Sequence, residues 1–167
     1  MSNARSSSTL LALVATFTLV AGCSGSDSDA PRTKDNLEQV QDDVADEQVS
    51  SGLPPECTDV FPYAWGTPDL ADADLLPSGW PQPPADAVLC NAGYTSGSIQ
   101  SVEYALATPS TTVLDHYATA LTGVEATEFS REERAELGRE VITGTAGDVG
   151  FEIEPRDGGY RILLAAP

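Results

Sequence analysis

From Ala87 onward the chain alternates between apolar and polar positions. Val102, Tyr104 and Leu106 fall on one side of a strand over 98–107, with Ser101, Glu103 and Ala105 on the other, the period-two pattern of a half-buried strand. A short apolar run, Ala87–Cys90, precedes it, and Gly93-Tyr-Thr-Ser-Gly97 reads as the turn that makes the two a hairpin. The period then lengthens. Val113, Leu114, Tyr117, Ala118 and Leu121 mark one face of a helix that opens after Pro109, with Ser110 as its expected N-cap, and closes at Gly123. At the C-terminal end Val149, Phe151 and Ile153 alternate with Gly150, Glu152 and Glu154. Asp157-Gly158-Gly159 turns the chain, and Tyr160, Ile162 and Leu164 resume the alternation, which predicts a hairpin.

The stretch 124–145 has two readings. Ser130-Arg-Glu-Glu133 has the form of a capping box before good helix formers, whereas Val141-Ile-Thr143 after Gly138 favours a strand pair. The expected fold is therefore α+β: a small antiparallel sheet of about four strands, with one or two helices on one face, built from 87–167.

Ahead of this core the pattern breaks down. Eight of the 12 prolines lie between Pro54 and Pro84, together with Trp65 and Trp80. Prolines at that density forbid long helices and central strands, so 53–86 is read as an irregular arm packed on the domain. Residues 23–52 are polar and acidic without one aromatic side chain. Such chain buries too little apolar surface to offset its conformational entropy and is expected to be a disordered tether. Leu37, Val40, Val44 and Val49 recur there at near-helical spacing, but valines are poor helix formers and the stripe is narrow.

The first 22 residues read as a signal peptide. Arg5 precedes a 12-residue apolar run, Thr9–Val20, too short to span a bilayer, which takes about 20 residues. Val20-Ala21-Gly22-Cys23 follows at once and resembles the lipobox of bacterial lipoproteins. Together with Leu76-Pro-Ser-Gly-Trp-Pro-Gln-Pro-Pro84 and the strands and helix after it, through about residue 123, the chain resembles small actinobacterial-type lipoproteins of unknown function. The resemblance implies cleavage between Gly22 and Cys23, acyl chains on the Cys23 thiol, palmitate among them, and a location at the extracytoplasmic face of the cell membrane. Two or more acyl chains give a stable anchor where one does not.

Charge and cysteine count sharpen this picture. The net charge is −18, with 26 acidic residues against 8 basic, so phosphate backbones would be repelled and nucleic acid is excluded as a partner. An anionic headgroup surface would repel the chain equally, leaving the acyl chains on Cys23 as its means of membrane attachment. The lone charge in the signal segment is Arg5; the tether carries −6 and the folded part −13. With Cys23 assigned to lipid, Cys57 and Cys90 remain as an even pair in an oxidising compartment and are expected to form a disulfide.

Candidate chemistry is sparse. The single histidine, His116, is expected on the solvent side of its helix, with Asp115 pointing elsewhere and no G-x-S-x-G elsewhere in the chain, which gives a Ser-His-Asp triad little support. Asp69, Asp72 and Asp74 are a weak candidate Ca²⁺ cluster without the EF-hand spacing or glycine. Glu132/Glu133 and Glu152/Glu154 are paired carboxylates on segments expected to be solvated. Gly144-Thr-Ala-Gly147-Asp-Val-Gly150 lacks a Walker lysine and precedes a strand, so it reads as a turn and not as a phosphate loop. No cofactor is implied. Phe61, Tyr63, Trp65 and Trp80 are the candidate recognition surface, since aromatic rings on irregular chain stack on sugars and peptides.

The expected function is thus a lipid-anchored, non-enzymatic envelope protein whose small domain binds a protein, peptide or glycan. A carboxylate-dependent envelope hydrolase and a weak Ca²⁺-binding module are the alternatives.

Overall fold

A computed structural model describes residues 33–125 and 127–166. Cys23, its cleavage site after Gly22 and the signal segment lie outside them. Among the described residues no helix is long and apolar enough to cross a membrane.

The domain is α+β and antiparallel, as the alternation predicts, but larger than expected. Six strands form one sheet: β1 Val88–Ser96, β2 Ile99–Ala105, β3 Thr127–Arg134, β4 Arg139–Ala146, β5 Val149–Arg156 and β6 Gly159–Ala165, in the order β1-β2-β6-β5-β4-β3. Helix α2, Ser110–Leu121, carries the chain from β2 across one face to the far edge at β3. Three hairpins then return it, so that β6 lands beside β2 and completes the sheet.

The stretch with two readings, 124–145, is the β3–β4 hairpin. Ser130 and Glu133 are strand residues paired with Thr143 and Glu140, so the capping-box reading is corrected. Good helix propensity loses here because β4 already has β5 as a neighbour and supplies β3 with a ladder to join. Ser110 is the first residue of α2, and the cap position falls on Pro109. The expected turn at 93–97 is also displaced. β1 runs through it with register shifts at Leu89/Asn91 and Ala92/Tyr94, and the chain turns at Gly97 instead. Gly93 sits at one of these irregularities with φ 79°, pressed against the Asp72 carbonyl where a Cβ would collide. A glycine there permits a β-bulge in place of a turn.

Strand alternation sends two sets of side chains to opposite faces. Val102, Tyr104, Ile142, Phe151, Ile153, Tyr160, Ile162 and Leu164 meet Val113, Leu114, Tyr117 and Leu121 of α2 in the main core. Rings organise its centre. Tyr104 and Tyr160 stack at 5.0 Å, Tyr117 meets Tyr160 edge-on at 5.7 Å, and Trp80 meets Phe151 at 5.0 Å.

The Pro-rich arm is ordered and serves both faces. Its later part lays Ala73 and Trp80 onto the main core. Its earlier part forms a second core, in which Leu53, Cys57, Phe61 and Ala64 pack with Cys90 and Ala105 on the face away from α2. The arm therefore hooks around the β1 edge. Cys57 and Cys90 are disulfide-bonded, with Cα atoms 5.4 Å apart.

The expectation of disordered chain throughout 23–52 is corrected over Thr33–Ser50, which forms helix α1. Most of α1 is exposed, including Leu37, Val40 and Val44, but Gln48 is buried and donates from Nε2 to the carbonyls of Pro62 (3.0 Å) and Ala64 (2.7 Å). A buried amide satisfied by two backbone acceptors is a strong local tie, and it pins the end of α1 to the arm.

Candidate functional site

The face of the sheet away from α2 carries a row of polar side chains that the strand register sets side by side. Asn91 of β1 lies opposite Glu103 of β2, Glu103 opposite Arg161 of β6, and Arg161 opposite Glu154 of β5. Directly opposed residues on adjacent strands lie within side-chain contact distance, so four neighbouring strands deliver an amide, a carboxylate, a guanidinium and a second carboxylate in line. Both carboxylates are withdrawn from water: Glu103 is 1% exposed and Glu154 4%.

Buried carboxylates need partners. Glu103 accepts the Tyr63 hydroxyl at Oε1 (2.5 Å) and the Asn91 amide at Oε2 (3.0 Å). Glu154 accepts Nε and Nη2 of Arg161 at Oε2 (3.2 and 2.5 Å), with Nη2 of Arg156 3.6 Å away. Tyr63 comes from the arm, 40 residues before Glu103, and its phenol is held well above the ordinary tyrosine range by burial and by its bond to Glu103.

Beside this row is a concavity of about 350 Å³, walled by Tyr63, Ile99 and Leu163, with Ser101, Arg156 and Arg161 presenting polar groups. That volume falls within the range of small-ligand pockets. Across Ile99 and Leu163 it continues into a shallower hollow of about 320 Å³, which runs past Ala165 to Gly150 and ends at Arg134 and Glu152, themselves ion-paired at 2.6 Å.

The expected recognition aromatics do not form one surface. Phe61 is buried in the second core and Trp80 in the main core. Tyr63 and Trp65 are exposed at 54% and 57%, and Tyr63 lines the concavity. Of the carboxylate pairs expected to be solvated, Glu132 and Glu133 are exposed, but Glu154 is buried because Arg161 and Arg156 flank it.

His116 is half-buried, less open to solvent than its helix position predicts. Its Nε2–H donates to the Gln82 carbonyl at 2.8 Å, because the arm passes over that side of α2. Asp115 points instead to Arg131, 2.7 Å away. Asp69, Asp72 and Asp74 are exposed, and Asp69 accepts from the Ala71 backbone N–H. Among the described residues no three metal-ligating side chains converge.

Glu103, Arg156, Arg161 and Ser101 escape a sequence reading as site residues. The Glu154–Arg161 pair follows from the hairpin register about Asp157-Gly158, but the lid over Glu103 depends on a contact 40 residues distant. No protein-family model, curated protein or solved structure matches the chain.

Proposed function

We propose that this chain is a lipid-anchored cell-envelope protein, held by acyl chains on Cys23 at the extracytoplasmic face, whose α+β domain is a non-enzymatic binding module. The observation that carries the binding role is the concavity on the open sheet face, of ligand size and built from side chains of five separate segments. The buried carboxylates beside it are engaged by guanidinium, hydroxyl and amide donors, an arrangement suited to holding a shape and less to moving protons. The Cys57–Cys90 disulfide supports an oxidising compartment, in keeping with the lipobox.

Labelled palmitate fed to a bacterial host expressing the full chain tests the anchor. Label and membrane fractionation are expected for the natural sequence, and both are lost in Cys23→Ala. A labelled Cys23→Ala protein would refute the assignment.

A second reading has one observation in its favour: Glu103 and Glu154 are both buried in the same neighbourhood, as a carboxylate-dependent hydrolase requires. Turnover of an envelope glycan or peptide that Glu103→Gln abolishes, with the thermal midpoint kept, would replace the binding role by that activity.

A further inference from the structure

We infer that the concavity on the open sheet face takes a small amphipathic carboxylate, its charged end on Arg156 and Arg161 and its apolar body on Ile99 and Leu163. The inference rests on the binding-module reading and names its ligand class.

Arg156 carries the argument. Among the described residues the other four arginines, Arg131, Arg134, Arg139 and Arg161, each make at least one hydrogen bond. The Arg156 guanidinium makes none: its ion-pair contact, Glu154 Oε2, lies 3.6 Å away, and its Nε is buried without a partner. A guanidinium offers five donors in a plane and matches a carboxylate bidentately. Arg161, also lining the cavity, commits Nε and Nη2 to Glu154 and keeps Nη1. Two arginines with donors left uncommitted thus line the same concavity.

The surroundings set the rest of the ligand. Glu103 and Glu154 lie close by and the folded part carries −13, so a dianion such as phosphate is opposed more strongly than a single carboxylate. Ile99 is 43% exposed at the end of β2, and Leu163 lies next to it on β6 as a second apolar wall. An apolar body placed there gains by leaving water. The Ser96 and Ser101 side chains in the lining offer hydroxyls to an amide, and the adjoining hollow toward Gly150 gives a longer chain somewhere to run. A peptide C-terminus and a free short-chain acid both carry this chemistry.

The test is calorimetric titration of the full chain in a neutral detergent with four probes: N-acetyl-leucine, 4-methylpentanoate, N-acetyl-leucinamide and inorganic phosphate. Saturable binding is expected for the two carboxylates, and not for the amide or phosphate. Tighter binding of N-acetyl-leucine identifies a peptide end as the source; equal binding identifies a free acid. Arg156→Gln is expected to weaken the carboxylates at least about tenfold, the worth of a charge-assisted pair. Because Arg161 still holds Glu154, the thermal midpoint should barely move in that variant. Ile99→Ser, at an exposed position, should weaken both carboxylates as well.

Equal binding of the amide, binding of phosphate alone, no carboxylate binding, or an Arg156→Gln protein of unchanged affinity would each overturn the inference. Absence of binding leaves the module reading in place, whereas hydrolysis of a probe overturns the module reading itself.

Discussion

The two faces of the sheet are made by the same strands and solve opposite problems. On the α2 side, Tyr104, Tyr160 and Ile162 are buried among other apolar groups, and a polar contact at their centre joins the Tyr117 and Tyr160 hydroxyls at 3.2 Å. On the other side the ionisable side chains of Glu103 and Glu154 are as thoroughly covered, and Arg161 between them keeps about a quarter of its surface in solvent (26%). Burial of apolar groups is favourable almost regardless of direction. Burial of an ion is costly unless it stays paired and hydrogen-bonded. The α2 face should therefore yield gradually to substitution, and the open face abruptly but reparably.

Adjacent residues of β6 make the sharpest test. Arg161→Ala strands the Glu154 carboxylate with only the 3.6 Å contact to Arg156, and an uncompensated buried charge costs about 3–5 kcal/mol. Ile162→Ala opens a cavity in the main core at about 2–5 kcal/mol. The two losses are similar in chemical denaturation, but only the first should be repaired by adding Glu154→Gln. A Glu154→Gln change that fails to rescue Arg161→Ala would show that Arg161 acts by packing its stem and not by charge.

Next in size is the staple that holds the arm over the open face. Replacing Cys57 and Cys90 together by alanine frees a loop with 33 residues of separation, and the chain-entropy model puts the loss at about 3–4 kcal/mol. Tyr63 is delivered by the same arm, so Glu103 should lose its lid as well. Faster hydrogen exchange confined to the second core and β1, with the α2 side still protected, is the expected pattern. Uniform exchange across both faces would mean that the faces do not behave as separate units.

Alkali probes the α2 face through its buried phenols. Burial pushes the Tyr104 phenol up to about 12 from an ordinary 10.0, and raises those of Tyr117 and Tyr160 as well. The folded state thus holds these protons more tightly than the unfolded chain. The stability this contributes is whole below about pH 10 and declines as the unfolded state alone deprotonates and the pH climbs toward the folded values. Phenolate absorbance from the three should appear together with loss of structure. Tyr160→Phe should shift the alkaline midpoint upward, and a midpoint insensitive to it would locate the alkaline transition elsewhere.

How much of this was legible depends on sequence distance. The alternation of Val102/Tyr104 against Ser101/Glu103 is printed in the chain, as is the turn that makes Glu154 face Arg161. So is the Cys57–Cys90 pairing, once a third cysteine is set aside for lipid. What could not be read is coverage. Whether Glu103 meets water is decided by Tyr63, whether His116 does is decided by Gln82, and whether Phe61 and Trp80 form one surface is decided by an arm that passes around an edge strand. Proline-rich chain has no periodicity to reveal its path. The stretch 124–145 kept two readings for a different reason, since a highly charged edge strand with Glu128, Arg131, Glu132, Glu133 and Arg134 carries the residues of an exposed helix. Charges at such an edge also discourage pairing with another chain.

That edge supplies the smallest effect and a control for the whole comparison. Arg131 belongs to neither buried set: it reaches from β3 to Asp115 on α2 at 2.7 Å and to Glu140 on β4 at 2.8 Å, with both carboxylates largely in solvent. Its two bonds are as short as those of Arg161, so geometry alone would rank the two arginines together. Solvent screening and the entropy of fixing long side chains reduce an exposed pair to about 0–1 kcal/mol. Arg131→Ala should therefore shift the denaturation midpoint slightly, and the shift should fade in molar salt. The Arg161→Ala loss should persist there, because the charge it exposes is screened from ions by the protein itself. Equal losses in the two variants would mean that burial is not what makes the open face fragile.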